Sequence, residues 1–300
     1  MNQKTLKRIY TFEGKGLHTG VYTHMTVGPA PVNTGIRFVR RDAGDSYIQA
    51  LASHVSNTAR STTISNGENN LATVEHLLSA LTGLGVDNAI VEVDNIEVPI
   101  LDGSALPYVK AITSDGLLEQ SVQRRWLQIS EPVEVSNEAG SYIRITPSDK
   151  FEVDLVADFN SHVLGVQKVH YDCSLDYSAE IAPCRTFCFF HELEYLAGHG
   201  LVKGGDMDNA IVVVEQPASP EQVQKLSGIF GQTGLKVTSS GYLNNLELRF
   251  PDECGRHKLL DFIGDIRLCG GYLLAHVEAY KPGHSLNTKA AKAVMDKIIK

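Results

Sequence analysis

The chain has 300 residues, 43% of them hydrophobic and 21% charged, enough for a sizeable core in one large or two medium domains. A net charge of -8 argues against a general nucleic-acid binder, which needs a basic surplus, but allows an anionic ligand held by a few local lysines. There is no low-complexity tract, so the sequence reads as globular throughout.

The start, Met1 to Ile9, is basic and lacks the apolar stretch of a signal peptide. Short strands are expected at 5–12, 24–27 and 36–40. A Ser/Thr/Asn-rich segment, 52–70, precedes an apolar helix over 74–84 that Gly83 and Gly85 stop. A β-branched strand follows at 88–93, and Leu101-Asp102-Gly103-Ser104 turns into a second helix through Val109 and Ile112. A polar, charged run at 120–125 marks a junction, after which the order begins again. Strands are expected at 126–129, 141–146 and 151–157, the last alternating Phe151, Val153, Leu155 and Ala157. A helix over 256–269 stops at Gly270-Gly271, a strand covers 272–280, and Pro282-Gly283-His284 opens a helix to 300.

This order predicts a duplicated α+β unit, with helices on one face of each sheet and units at 1–122 and 123–300. Two segments fall outside the repeat. One is 52–70; the other is 186–216, with a short helix at 191–197 and the run Gly200-Leu201-Val202-Lys203-Gly204-Gly205. The longest apolar runs, such as Ala210 to Val214, are too short to span a bilayer, so no transmembrane segment is expected. Five cysteines (Cys173, Cys184, Cys188, Cys254 and Cys269) form neither a disulfide framework nor a usual zinc spacing. They read as reduced, and the protein as cytoplasmic.

The chemistry concentrates in Arg256-His257-Lys258-Leu259-Leu260-Asp261-Phe262-Ile263-Gly264-Asp265. On a helix, His257, Asp261 and Asp265 fall in one stripe at i, i+4 and i+8, while Leu259, Leu260 and Ile263 place the helix in the interior. Ionisable groups there are expensive to bury unless they are paired or hold a metal. The matching helix of the first half opens with Glu75-His76. If the halves pack face to face, His76 joins His257 and Asp261 as three zinc ligands with one position left open. Capping and core histidines are the competing reading at this point.

Several motifs in this order resemble the UDP-3-O-acyl-N-acetylglucosamine deacetylase family, over essentially the whole chain. They are Gly16-Leu17-His18-Thr19-Gly20, Thr73-Val74-Glu75-His76-Leu77, Leu101-Asp102-Gly103-Ser104-Ala105, Arg185-Thr186-Phe187, Gly204-Gly205, Arg256 to Asp261, Gly264-Asp265 and Lys281-Pro282-Gly283-His284-Ser285-Leu286-Asn287. The resemblance implies a β-α-α-β sandwich with the two helix layers facing each other. It also implies a Zn2+-dependent hydrolase that removes the N-acetyl group of an acylated UDP-amino-sugar in lipid A biosynthesis.

The family's metal ligands fall on His76, His257 and Asp261. Glu75 matches its general base, His284 a cationic acid–base group, Asp265 that group's orienting partner, and Thr186 the hydroxyl that polarises the scissile carbonyl. Lys258 and Lys281 match positions near the active site and the nucleotide phosphates, and Phe187 offers the substrate an apolar face. His18 and Ser61 fall near the site, and Ser61 stands where some relatives carry a cysteine that can bind a second, inhibitory metal. The second insert would form an apolar passage for the acyl chain, on which Leu193, Val202, Ala210 and Val212 fall. No role goes to His162, Lys203 or Asp206.

The resemblance further implies a monomer that is fused to, or works beside, a hydroxyacyl-carrier-protein dehydratase, although nothing in these 300 residues resembles the dehydratase itself. A catalytically silent nucleotide binder is disfavoured, because binding alone does not require Glu75, Asp265 and His284 together. His24, His54, His170, His191, His199 and His276 read as surface or core residues. Asp102-Gly103-Ser104 reads as a turn and cap. Lys289, Lys292, Lys297 and Lys300 read as the wet face of the last helix.

Overall fold

In a computed structural model, residues 1–193 and 203–299 are described. The first unit runs β1 (Asn2–Leu6), β2 (Tyr10–Lys15), β3 (Tyr22–Pro29), β4 (Ile36–Arg40) and β5 (Tyr47–Gln49). Three short strands follow, β6 (Val55–Asn57), β7 (Thr63–Ser65) and β8 (Asn70–Leu71), then α1 (Glu75–Leu84), β9 (Ala89–Val93), α2 (Leu106–Thr113) and β10 (Leu117–Gln123). The second unit runs β11 (Trp126–Gln128), β12 (Val133–Ser136), β13 (Tyr142–Pro147), β14 (Phe151–Asp158), β15 (Val166–Asp172) and the short α3 (Tyr177–Glu180). It continues with β16 (Phe187–Phe189), β17 (Ile211–Val213), α4 (Pro220–Phe230), α5 (Glu253–Ile266), β18 (Tyr272–Tyr280) and α6 (His284–Lys297).

The two main sheets share one topology. The first has the order β2-β3-β9-β4-β5 and the second β12-β13-β18-β14-β15, with β11 also beside β18. In each, the strand after the long apolar helix lies in the centre. β9 is antiparallel to β3 and parallel to β4, as β18 is antiparallel to β13 and parallel to β14. Even the flanking strand recurs, because the parallel bridge of Thr5 to Asn88 matches the parallel pairing of β11 with β18. The duplicated α+β unit is therefore visible in strand order, where the residues of the two halves have diverged.

α1 and α5 form the centre. Leu77, Leu78, Leu81, Leu259, Leu260 and Phe262 are all fully buried, each contributing about 1.5–3 kcal/mol of burial. α1 ends at Gly85, whose left-handed φ of 84° lets its N–H reach the Leu81 and Thr82 carbonyls. The two helices touch backbone to backbone at Gly264, where an added Cβ would lie 2.0 Å from the Glu75 carbonyl oxygen. We expect Gly264→Ala to lower stability by about 1–3 kcal/mol, read by denaturant unfolding, because rigid backbone opposes the new methyl. Unchanged stability would show that the helices part freely there.

Several expectations change. The strand at 5–12 is two strands, broken at the exposed Lys7-Arg8-Ile9, because β1 pairs with β10 and β2 with β3. The polar run at 120–125 is no open connector: Gln120 to Gln123 belong to β10, a mostly exposed strand, and Arg124 is buried in a two-bond pair with Asp87. The 52–70 insert folds into the small sheet β6-β7-β8. In the second insert β16 and β17 pair in parallel, and residues 190–193 are helical; the remainder of the 191–197 helix and Val202 lie outside the described residues. The region outside the repeat also runs on past 216 through α4. The start of α4 carries a signal that the expectations above did not use, a capping box of Ser219 and Gln222 with Pro220 at the first helical position. No helix among the described residues is long and apolar enough to cross a membrane.

Candidate metal centre

His76 leaves the first turn of α1, and His257 and Asp261 leave one face of α5, so the contact of the two helices brings the trio together. His76 Nε2 lies 3.5 Å and His257 Nε2 3.4 Å from the same oxygen, Asp261 Oδ1. The three ligating atoms fall within 4.8 Å of one another, and all three residues are buried. The imidazoles meet edge-on, centroids 5.0 Å apart and planes at 89°.

The electronic state of the trio suits a cation. The Cys184 carbonyl can only accept, so His257 Nδ1, 3.1 Å away, carries the proton and Nε2 presents a lone pair to the cluster. Burial lowers the His257 pKa to about 3, with Asp261 opposing it, so the ring is neutral at ordinary pH. Burial works against ionisation of Asp261, but the His257 and Lys258 cations more than offset it and hold the carboxyl well below its usual range. Once His257 has lost its proton, Lys258 is the nearer cation facing Asp261, with Nζ 2.8 Å from Oδ2, and His284 Nε2 the farther at 3.9 Å. The other oxygen, Oδ1, is buried and has no hydrogen-bond partner. A buried acceptor without a hydrogen bond, beside the His257 lone pair and the His76 ring nitrogen, is unfavourable without a cation among them, so these residues fit a divalent ion.

Around the trio lies a cavity of about 180 Å3, lined by Leu17, His18, Arg60, Thr73, Glu75, Thr186, Phe187, Lys258 and His284 besides the three ligands. Burial pushes Glu75 up to about 7, with the His284 and His76 charges pulling the other way. The Thr62 N–H donates to Glu75 Oε2 at 3.0 Å. Burial alone would lower His284, but Asp265 dominates and raises it to about 9. The pair meets through His284 Nδ1 and Asp265 Oδ2 at 3.0 Å, which leaves Nε2 to face the cavity centre, 3.9 Å from Asp261 Oδ2. Asp265 is held in turn by Thr62 Oγ1 at 2.5 Å and by Asn287 Nδ2 at 2.9 Å.

The remaining expected residues divide. Thr186 is pinned by its N–H to the Gly103 carbonyl, 2.8 Å, and by Ile211, whose N–H donates to the Thr186 carbonyl. The Leu101 to Ser104 segment is thus a structural turn, with Gly103 at φ 82° close against the Asn209 carbonyl. The Phe187 ring stands 6.3 Å from that of His257, with Lys258 Nζ 5.5 Å from its centroid. His18 lines the cavity with a buried, unpartnered Nε2, and burial lowers its pKa. Ser61 is buried. Lys281 lies outside the cavity, Nζ 3.3 Å from Asp158. Leu193 and Val212 pack into a satellite apolar cluster with Phe190, Met207, Val214 and Leu243. Ala210 is half-buried beside it, its carbonyl accepting from Asn245.

Two other features are less suited to chemistry. A cavity of about 660 Å3 near Trp126 and Tyr272 includes none of the trio. Glu152, His170 and Asp172 also cluster, but half-exposed on β14 and β15 and with Lys150 Nζ already 3.0 Å from Glu152.

The sequence matches the model of the LpxC family, UDP-3-O-acyl N-acetylglycosamine deacetylase, over residues 3–227 and 221–296. The chain belongs to this family. It is 42% identical over 298 residues to a "Bifunctional enzyme LpxC/FabZ" of Porphyromonas gingivalis, across 99% of this chain and 64% of that protein. A second bifunctional relative, from Chlorobaculum tepidum, is 41% identical over 297 residues, 97% of this chain and 64% of its own length. The UDP-3-O-acyl-N-acetylglucosamine deacetylase of Teredinibacter turnerae is 40% identical over 304 residues, 98% of this chain and 90% of that one. The chain thus spans under two-thirds of the length of the bifunctional relatives it matches.

Three residues of the site escaped the sequence reading. Thr62 touches both Glu75 and Asp265, and its only signal was a place in the Ser/Thr-rich insert. Asn287 stands in the Lys281 to Asn287 motif, one turn of α6 beyond His284. Glu97, fully buried, gathers the His18 and Thr19 N–H groups and the Thr19 and Thr73 hydroxyls, which fixes the Gly16 to Gly20 loop over the cavity. Nothing in its local pattern announced that task.

Proposed function

We propose that this chain is a zinc-dependent deacetylase. It hydrolyses the N-acetyl group of UDP-3-O-(3-hydroxyacyl)-N-acetylglucosamine and releases acetate, the committed step of lipid A biosynthesis. The observation that carries the reading is the orphaned Asp261 Oδ1 between the His76 and His257 imidazoles, with Glu75 and His284 at the rim of the same cavity.

Zinc held by His76, His257 and Asp261 would supply an activated water, its pKa lowered from 15.7 to about 7, and polarise the amide carbonyl. Glu75, whose ionisation is tuned to about 7, takes the proton as water attacks the acetyl carbon. His284 is cationic at neutral pH because Asp265 holds it so, and its Nε2–H steadies the developing oxyanion. The same proton then goes to the leaving amine as the C–N bond breaks, giving acetate and the free amino-sugar. The Thr186 hydroxyl adds an oxyanion donor, typically worth about 2.7–4 kcal/mol of barrier. Lys258 keeps Asp261 ionised and in place.

Phe187 gives the sugar an apolar wall, His18 contacts substrate from the opposite loop, and Lys281 serves the nucleotide phosphates. Leu193, Val202, Ala210 and Val212 belong to the acyl passage, where each buried methylene contributes about 0.8 kcal/mol. The units at 1–122 and 123–300 each contribute part of the site. The protein acts as a cytoplasmic monomer, beside or joined to a hydroxyacyl-carrier-protein dehydratase.

Acetate release from the synthetic acyl-UDP-sugar tests the reading. Chelation should abolish it and added Zn2+ restore it; no acetate from zinc-loaded protein would overturn it. The pH profile of kcat/KM should be bell-shaped. Glu75 must be ionised, so activity rises through about pH 7; His284 must be protonated, so activity falls through about pH 9. In His284→Ala the rate should drop and the alkaline limb disappear. An alkaline limb that survived the substitution would assign it to another group.

A further inference from the structure

Arg60 lies in the first insert, between β6 and β7, and lines the mouth of the cavity that holds the three candidate ligands. Three features set it apart. Its backbone is left-handed, with φ 68°, a conformation that strains an L side chain and that glycine adopts freely. Its exposed guanidinium has no hydrogen bond and no acidic partner among the described residues. It shares that lining with Leu17 and His18 of the Gly16 to Gly20 loop and with Phe187 of β16, which places it where that loop meets the second insert.

Two of the lysines nearby already have a carboxylate partner. Lys258 is bound to Asp261 and Lys281 to Asp158. Asp261, Asp265 and Glu75 add negative potential to a chain of net charge -8, so an unpaired cation at the mouth would help Lys281 meet a nucleoside diphosphate. The planar fork of an arginine matches phosphoryl oxygens two at a time. Arg60 also lies in none of the motifs that mark the family. We propose that Arg60 is a substrate-binding residue that takes the phosphoryl oxygens of the substrate's diphosphate. This rests on the substrate class proposed above.

Arg60→Gly is the cleanest test, because it removes the guanidinium and relieves the backbone at once. In zinc-loaded protein, calorimetric titration with UDP should show affinity weakened about ten- to hundredfold, with KM for the acyl-UDP-sugar raised to match and kcat near wild type. Thermal stability should stay level or rise, and the salt dependence of kcat/KM should flatten. Arg60→Lys should recover part of the affinity. Unchanged UDP affinity and KM in Arg60→Gly would overturn the assignment, as would a fall confined to kcat. Unchanged UDP affinity with a raised KM for the acylated substrate would move the contact to the acyl oxygens and overturn the diphosphate claim. Arg60-dependent UDP binding in a wild-type protein that releases no acetate would sink the deacetylase reading and leave Arg60 in place.

Discussion

Glu75→Ala should cut acetate release by about a hundred- to ten-thousandfold while the protein keeps its full complement of zinc. The carboxylate stands next to a ligand in sequence but is not one of the three atoms that converge, so its loss leaves the metal's coordination intact. What disappears is a buried base whose ionisation is balanced near neutrality by burial on one side and the His284 and His76 charges on the other. Glu75→Gln makes the sharper comparison, because it keeps an oxygen for the Thr62 N–H and loses only the basicity. Metal analysis beside single-turnover kinetics separates the two effects. Loss of zinc together with activity in Glu75→Gln would contradict the division between base and ligands.

The second large effect concerns the metal itself. His257→Ala should lower zinc affinity by more than about a hundredfold, beyond what is typical for changing a ligand's outer partner. The fold should survive, since the side chain's hydrogen bond to Cys184, contributing about 0.5–1.5 kcal/mol, is a small part of α5's packing. Ligand-linked unfolding reads this directly: added Zn2+ should raise the melting temperature of wild type and leave that of His257→Ala unmoved. Equal zinc-induced shifts in both proteins would place the ion elsewhere.

The sequence displayed the site more fully than it displayed the fold. His257 and Asp261 were readable because helical spacing fixes their common face, and α5 is apolar enough to put that face inside. His76 needed a second condition, that α1 pack on α5, and the duplicated order of elements supplied it. The strand order that proves the duplication was not readable, since pairing of β9 or β18 with its neighbours depends on contacts tens to hundreds of residues apart. The break at 7–9 was hidden for the same reason, as only the partners of β1 and β2 show that one stretch of chain serves two sheets. Thr62 and Glu97 were invisible for a related cause. Each holds functional groups through hydrogen bonds fixed by tertiary structure, and neither carries a periodic or spacing signal of its own.

The convergence of two helices on one ion is most directly tested by X-ray absorption of the zinc-loaded protein, with the metal content measured on the same sample. The account predicts one zinc per chain with imidazole and carboxylate scatterers at about 2.0–2.2 Å, and a loss of one imidazole in either His76→Ala or His257→Ala. A sulfur shell at about 2.3 Å, or a first shell indifferent to both substitutions, would contradict it.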